Sequence, residues 1–101
     1  EFNSKIIPES YIMLRDIPKL PFGCSFMQPE LTAREFSKNV PIALIANDCI
    51  VVTGDSLINA FDRLEVAEYS AKGIISAISI GEVAMIDNSK IREIEEAFKL
   101  K

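Results

Sequence analysis

The chain contains no histidine and no tryptophan. The lack of imidazole removes Ser-His and Cys-His nucleophilic pairs, imidazole general bases and every His-ligated metal site. Any chemistry has to come from carboxylates, cysteine, tyrosine, lysine or a partner chain. Cysteine is scarce, with Cys24 and Cys49 the two present. One pair of thiols in an acidic domain of this size fits reduced side chains of a cytoplasmic protein better than a disulfide framework, and both are expected to be free. With 4 glycines and 5 prolines the chain is neither low-complexity nor collagen-like. Long apolar runs are missing as well: the longest uncharged stretch, Leu20 to Pro29, is ten residues, where a membrane span needs about 20. Basic residues are outnumbered 11 to 15, a net charge of −4, a sign that repels phosphate backbones and anionic lipid. Neither nucleic acid nor membrane is an expected partner. The sequence opens Glu1-Phe2, without an initiator methionine or a basic-then-apolar leader, and is expected to be processed or truncated.

What is present is enough for a core. With 101 residues, 49% hydrophobic and 26% charged, the composition predicts one domain over residues 1–101 that buries roughly two thirds of its unfolded surface. Pro8, Pro18, Pro21 and Pro29 punctuate the first third and forbid a long helix there. Tyr11 to Leu14 and Leu20 to Phe22 are strand candidates. Pro29-Glu30 opens a helix expected to reach about Lys38. The apolar runs Ile42 to Ala46 and Cys49 to Thr53, separated by Asn47-Asp48, predict a hairpin with both strands buried on both faces. After Gly54, Asp55 or Ser56 caps a long helix over residues 56–80. Its apolar positions Leu57, Phe61, Leu64, Ala67, Ala71, Ile74 or Ile75 and Ile78 form one stripe expected to cover the sheet. Asp87-Asn88-Ser89 caps a last helix with Ile91, Ile94 and Phe98 on one face and its charged residues in solvent.

Sites are few. Asn47-Asp48-Cys49 brings a carboxylate and a thiol to a hairpin tip, though two adjacent ligands do not complete a four-coordinate zinc site. Asn and Asp also serve the turn dihedrals there, and Cys49 serves as a small core residue. Thr53-Gly54-Asp55-Ser56 precedes a helix N-terminus that favours anions, but Asp55 opposes one, which leaves a plain N-cap.

From Pro41 to Lys72 the chain resembles the C-terminal part of the class II aldolase/adducin family. The residues in step are Asn47 at the end of a buried strand, Gly54 after a second strand, then Leu57, Ala60, Phe61, Glu65, Glu68, Ala71 and Lys72 along a helix. Upstream, Ile7-Pro8-Glu9 and Ile17-Pro18-Lys19-Leu20-Pro21-Phe22 are similar to that family's proline-punctuated strands. The resemblance implies an α/β fold: a mixed or mainly antiparallel sheet flanked by helices, the C-terminal half of an αβα sandwich. It implies a zinc-dependent lyase that splits sugar phosphates by retro-aldol cleavage, the zinc held by three histidines. Asp48 stands at the position of the third histidine and is the implied metal ligand, with Cys49 in place of a glycine. Tyr11 lies in a segment like the one from which the family donates a catalytic tyrosine across a subunit boundary. The implied chain is a fragment or divergent member, inactive alone and binding no zinc by itself, that assembles as a homo-oligomer or with its own N-terminal portion. The alternative is a non-catalytic binding or assembly module like the adducin head.

Overall fold

The computed structural model describes residues 2–100. The chain runs through helix α1 (Pro8–Leu14), strand β1 (Lys19–Leu20), short helices α2 (Cys24–Met27) and α3 (Pro29–Ala33), strands β2 (Ile42–Ile45) and β3 (Cys49–Val52), and helices α4 (Leu57–Ile80) and α5 (Asn88–Ala97). The three strands form one mixed sheet in the order β1-β2-β3. β1 runs parallel to β2, with Lys19 opposite Leu44 and Leu20 opposite Ile45. A parallel neighbour demands a crossover, and α2 with α3 supplies it. β2 and β3 pair antiparallel from Ile42 opposite Val52 to Ile45 opposite Cys49. The class is therefore α/β with a mixed sheet.

Side chains on β2 alternate between two cores, as the twofold period of a strand requires. Ile42 meets Leu14 of α1 and Ala67 of α4, with Met13, Ile17, Val52 and Val66 around them. Ala43 and Ile45 face the other way, onto Leu20, Cys24, Phe36 and Val51. The long helix and α1 thus lie on one face of the sheet, and the α2–α3 crossover lies on the other.

Four expectations are corrected. Tyr11 to Leu14 is helix, because Pro8 occupies the first turn with Glu9 beside it, a start that fixes φ and favours acid. The strand expected at Leu20 to Phe22 is the two residues Lys19–Leu20. The helix opened by Pro29 stops at Ala33. There the Thr32 hydroxyl donates to the Cys24 and Gln28 carbonyls at 2.8 and 2.9 Å, and the chain turns so that Phe36 reaches the second core. In the hairpin only β2 is buried. β3 is the outermost strand, with Cys49 and Ile50 exposed and Val51 and Val52 half-buried.

The hairpin loop and the cap of α4 form as expected. Asn47 takes the left-handed backbone at φ 57°, which asparagine tolerates. The Ser56 hydroxyl accepts from the Asn59 amide at 3.1 Å. Cys24 and Cys49 are free thiols. Among the described residues no helix is long and apolar enough to cross a membrane.

Candidate functional site

The hairpin tip carries the residue expected to hold metal. Asp48 is exposed, its amide donating to the Ile45 carbonyl at 3.1 Å to close the turn. Cys49 is its exposed neighbour. Desolvation, then the charge of Asp48 and a hydrogen bond to it, push the Cys49 thiol up from its ordinary value. A thiol moved in that direction is less thiolate and a poorer nucleophile and ligand at neutral pH. Among the described residues no group of three His, Cys, Asp or Glu side chains is placed to hold a metal ion. A catalytic zinc takes three protein ligands, so Asp48 and Cys49 do not fit the implied zinc by themselves.

At the junction of β3 and α4, Gly54 passes so close to the helix that a Cβ there would stand 2.6 Å from the Ala60 nitrogen and 2.6 Å from Asn59 Oδ1. Asn59 Oδ1 accepts from the Asp55 amide at 3.0 Å. Arg63 reaches back from α4, its Nε donating to the Met13 carbonyl at 2.7 Å and its guanidinium also to the Thr53 carbonyl. Burial lowers its pKa. The helix N-terminus is thus committed to its own cap, and Arg63 ties α4 to the end of α1 and the end of β3.

The structure brings together a third group that spacing did not reveal. Tyr11, on α1 and 4% exposed, donates its hydroxyl to Glu95 Oε2 on α5 at 2.7 Å. Burial, the hydrogen bond to Glu95 and the Glu95 charge push the phenol up to about 12. Lys5 Nζ sits 5.8 Å from the ring centroid. Beside this pair Arg15, at φ 53°, donates to the Lys38 carbonyl at 3.4 Å, to the Leu100 carbonyl at 2.7 Å and to Asn39 Oδ1. A left-handed backbone at arginine is costly and persists where neighbours over-determine it. The Ser4 hydroxyl donates to the Arg15 carbonyl at 2.5 Å, and the Asp16 amide donates to the Asn39 carbonyl at 3.2 Å. Tyr11, Arg15, Asp16, Asn39 and Glu95 line a mixed-charge cleft of about 310 Å³ together with Lys5, Asn88 and Arg92. Among the described residues no buried side-chain nitrogen or oxygen lacks a partner.

Glu95, which the sequence places with its charged neighbours on the solvated face of the last helix, is buried. The signal was its spacing: residue 95 lies four beyond buried Ile91 and shares its face. Phe98, expected inward, is exposed.

Compared with known protein families, curated proteins and solved structures, the chain matches none. The residues that carry the resemblance divide by what they do in this fold. Asn47, Gly54 and Ala60 have local backbone roles, and Glu68 and Lys72 pair on the surface at 3.3 Å. Leu57 and Phe61 touch no core, being 86% and 55% exposed.

Proposed function

We propose that this chain is the C-terminal portion of a class II aldolase-type αβα domain, and that it works as an assembly module rather than as a lyase on its own. The observation that carries this reading is the balance of apolar side chains. Among the described residues eight hydrophobics are buried while sixteen large ones are exposed. The exposed ones are not scattered: Phe22, Phe26, Met27 and Leu31 gather at α2 and α3, and another set runs along α4. Contiguous apolar surface of this kind marks a contact face. The outer strands β1 and β3 add unpaired edges, which also recruit chains.

Sugar phosphate and zinc belong to this reading only through the residues of an N-terminal portion. The surfaces left open are apolar enough that the chain associates with itself when no such portion is supplied. Sedimentation equilibrium, paired with a retro-aldol assay in added zinc, tests both halves of the reading. The expected result is a dimer or larger species with no cleavage of ketose phosphates. A monomer of 11.2 kDa at all concentrations would overturn the assembly reading, and cleavage abolished by Asp48→Ala would overturn the non-catalytic one.

A further inference from the structure

Of the eight large apolar residues exposed along α4, five follow one rhythm, with Ile58, Tyr69 and Ile80 outside it. Leu57, Phe61 and Leu64 recur at spacings of four and three, and Glu68, Ala71, Ile75 and Ile78 continue 4, 3, 4, 3 from Leu64. That is the 3.5-residue repeat of a coiled-coil seam, held over three heptads. The five large apolar residues of the seam are exposed. The face packed on the sheet is a different one, centred on buried Ala67 and Ser70 and continued by half-buried Ala60, Ile74 and Ala77. The helix therefore has one stripe for its own fold and a second that is exposed among the described residues.

Resting on the assembly reading above, we propose that this second stripe is a homodimer interface in which α4 packs antiparallel against α4 of a second copy. The order of residues along the seam selects both partner and direction. Glu68 interrupts the apolar run at its middle, and Lys72 lies on the same flank as Glu65 and Glu68, paired with Glu68 at 3.3 Å with both side chains exposed. In a parallel, in-register pair Glu68 would face the partner's Glu68 inside the seam, a like-charge contact that opposes association, and Lys72 would lie across from the partner's Ala67 without a carboxylate. In an antiparallel pair with its twofold axis between residues 69 and 70, the layers become Phe61 on the partner's Ile78 and Leu64 on the partner's Ile75. Glu68 then meets the partner's small Ala71. The twofold sets equal flanks against each other, so Lys72 lies beside the partner's Glu65 and Glu68. A half-turn shift that centres Glu68 on the axis restores the carboxylate clash, so charge fixes the register as well as the direction. Large apolar groups occupy both ends and a small residue with opposite charges the middle: the stripe is complementary to its own reverse.

The test is carried out on the whole chain with Cys24 and Cys49 replaced by serine. Leu64→Cys and Ile75→Cys are made in separate chains, singly and then mixed, and oxidised before a non-reducing gel. The expected result is a covalent dimer in the mixture and none from either variant alone. Dimers from Leu64→Cys alone overturn the antiparallel register. In parallel, Leu64→Lys with Ile75→Lys, at positions exposed in the monomer, should raise the dimer dissociation constant by at least about tenfold with unchanged circular dichroism. Lys72→Glu should weaken the dimer and Lys72→Glu with Glu65→Lys and Glu68→Lys restore it. A wild-type oligomer indifferent to these changes overturns this interface while leaving assembly through another surface standing. A wild-type monomer overturns both.

Discussion

At Tyr11 the chain places a phenol where its proton is held rather than offered. The hydroxyl donates to Glu95 within the same molecule, so its first consequence is cohesion between α1 and α5. Tyr11→Phe removes a hydrogen bond between two buried side chains and should destabilise the fold by about 1–3 kcal/mol in chemical denaturation. The pH dependence follows from the sign of the shift. The folded phenol, pushed up from 10.0 to about 12, binds its proton more tightly than the unfolded one. Its contribution is complete below pH 10.0 and is lost as pH rises through about 12. Melts between those limits should show stability falling with pH, and Tyr11→Phe should flatten that slope. A slope unchanged by the substitution would remove Tyr11 as its origin. At the other end of the scale Asp87, the cap of α5, is held below its ordinary carboxyl value by the Ser89 hydroxyl and the Lys90 and Ser89 amides. Its support for α5 is present above the unfolded carboxyl range and fades as pH falls through the depressed value. Asp87→Ala should remove that acid-side loss of helicity.

Among the elements, the β3–α4 junction is closely packed. A methyl group at position 54 would collide with backbone, the Ala60 nitrogen at 2.6 Å, and backbone does not give way as a flexible side chain does. Gly54→Ala should cost about 1–3 kcal/mol through overpacking, read as a lowered denaturation midpoint at constant slope. A residue packed on the inner face of α4 and one on its outer face offer a sharper comparison. Leu14 is fully buried against Ile42 and Ala67, so Leu14→Ala should cost about 2–5 kcal/mol. Phe61 sits on the outward stripe, and in dilute monomer Phe61→Ala should stay within about 1 kcal/mol. A loss of several kcal/mol there would mean that α4 is rotated from the orientation described.

At the scale of the whole molecule, the sheet is small and its covering is unequal. The α2–α3 side keeps Phe22 and Phe26 in edge-to-face contact, with centroids 6.3 Å apart, but both rings remain exposed. The opposite side is roofed by a helix of 24 residues, about 36 Å long, as long as the molecule's longest extent of 38 Å. Such a helix has room for two faces. The hairpin tip, with Asp48 and Cys49 side by side, is short of a third ligand, so the isolated chain should not retain stoichiometric zinc after dialysis. Elemental analysis finding one zinc per chain, lost in Asp48→Ala, would reinstate the tip as a metal site.

Local chemistry alone determined the hairpin, the cap of α4 at Asp55 or Ser56 and the cap of α5 within Asp87-Asn88-Ser89. Each depends on neighbours within a few residues, where turn dihedrals and capping oxygens act, and Asn47, Ser56 and Asp87 announce them by residue type. The stripe along α4 shows where that reach ends. Leu57, Phe61, Leu64, Ala67, Ala71 and Ile78 share one periodicity in the sequence, yet tertiary packing divides them, because the inward face is set by which residues fit against Ile42 and Leu14. Small Ala67 fits there; Phe61 and Leu57, a turn and more away and rotated outward, do not. Tyr11 shows the same limit in another form. Pro8 could open a helix or interrupt a strand, and its first-turn place beside Glu9 together with the packing of α1 on α4 decided for the helix. With that decision the hydroxyl came to Glu95, a residue 84 positions along the chain that no local pattern connects to it.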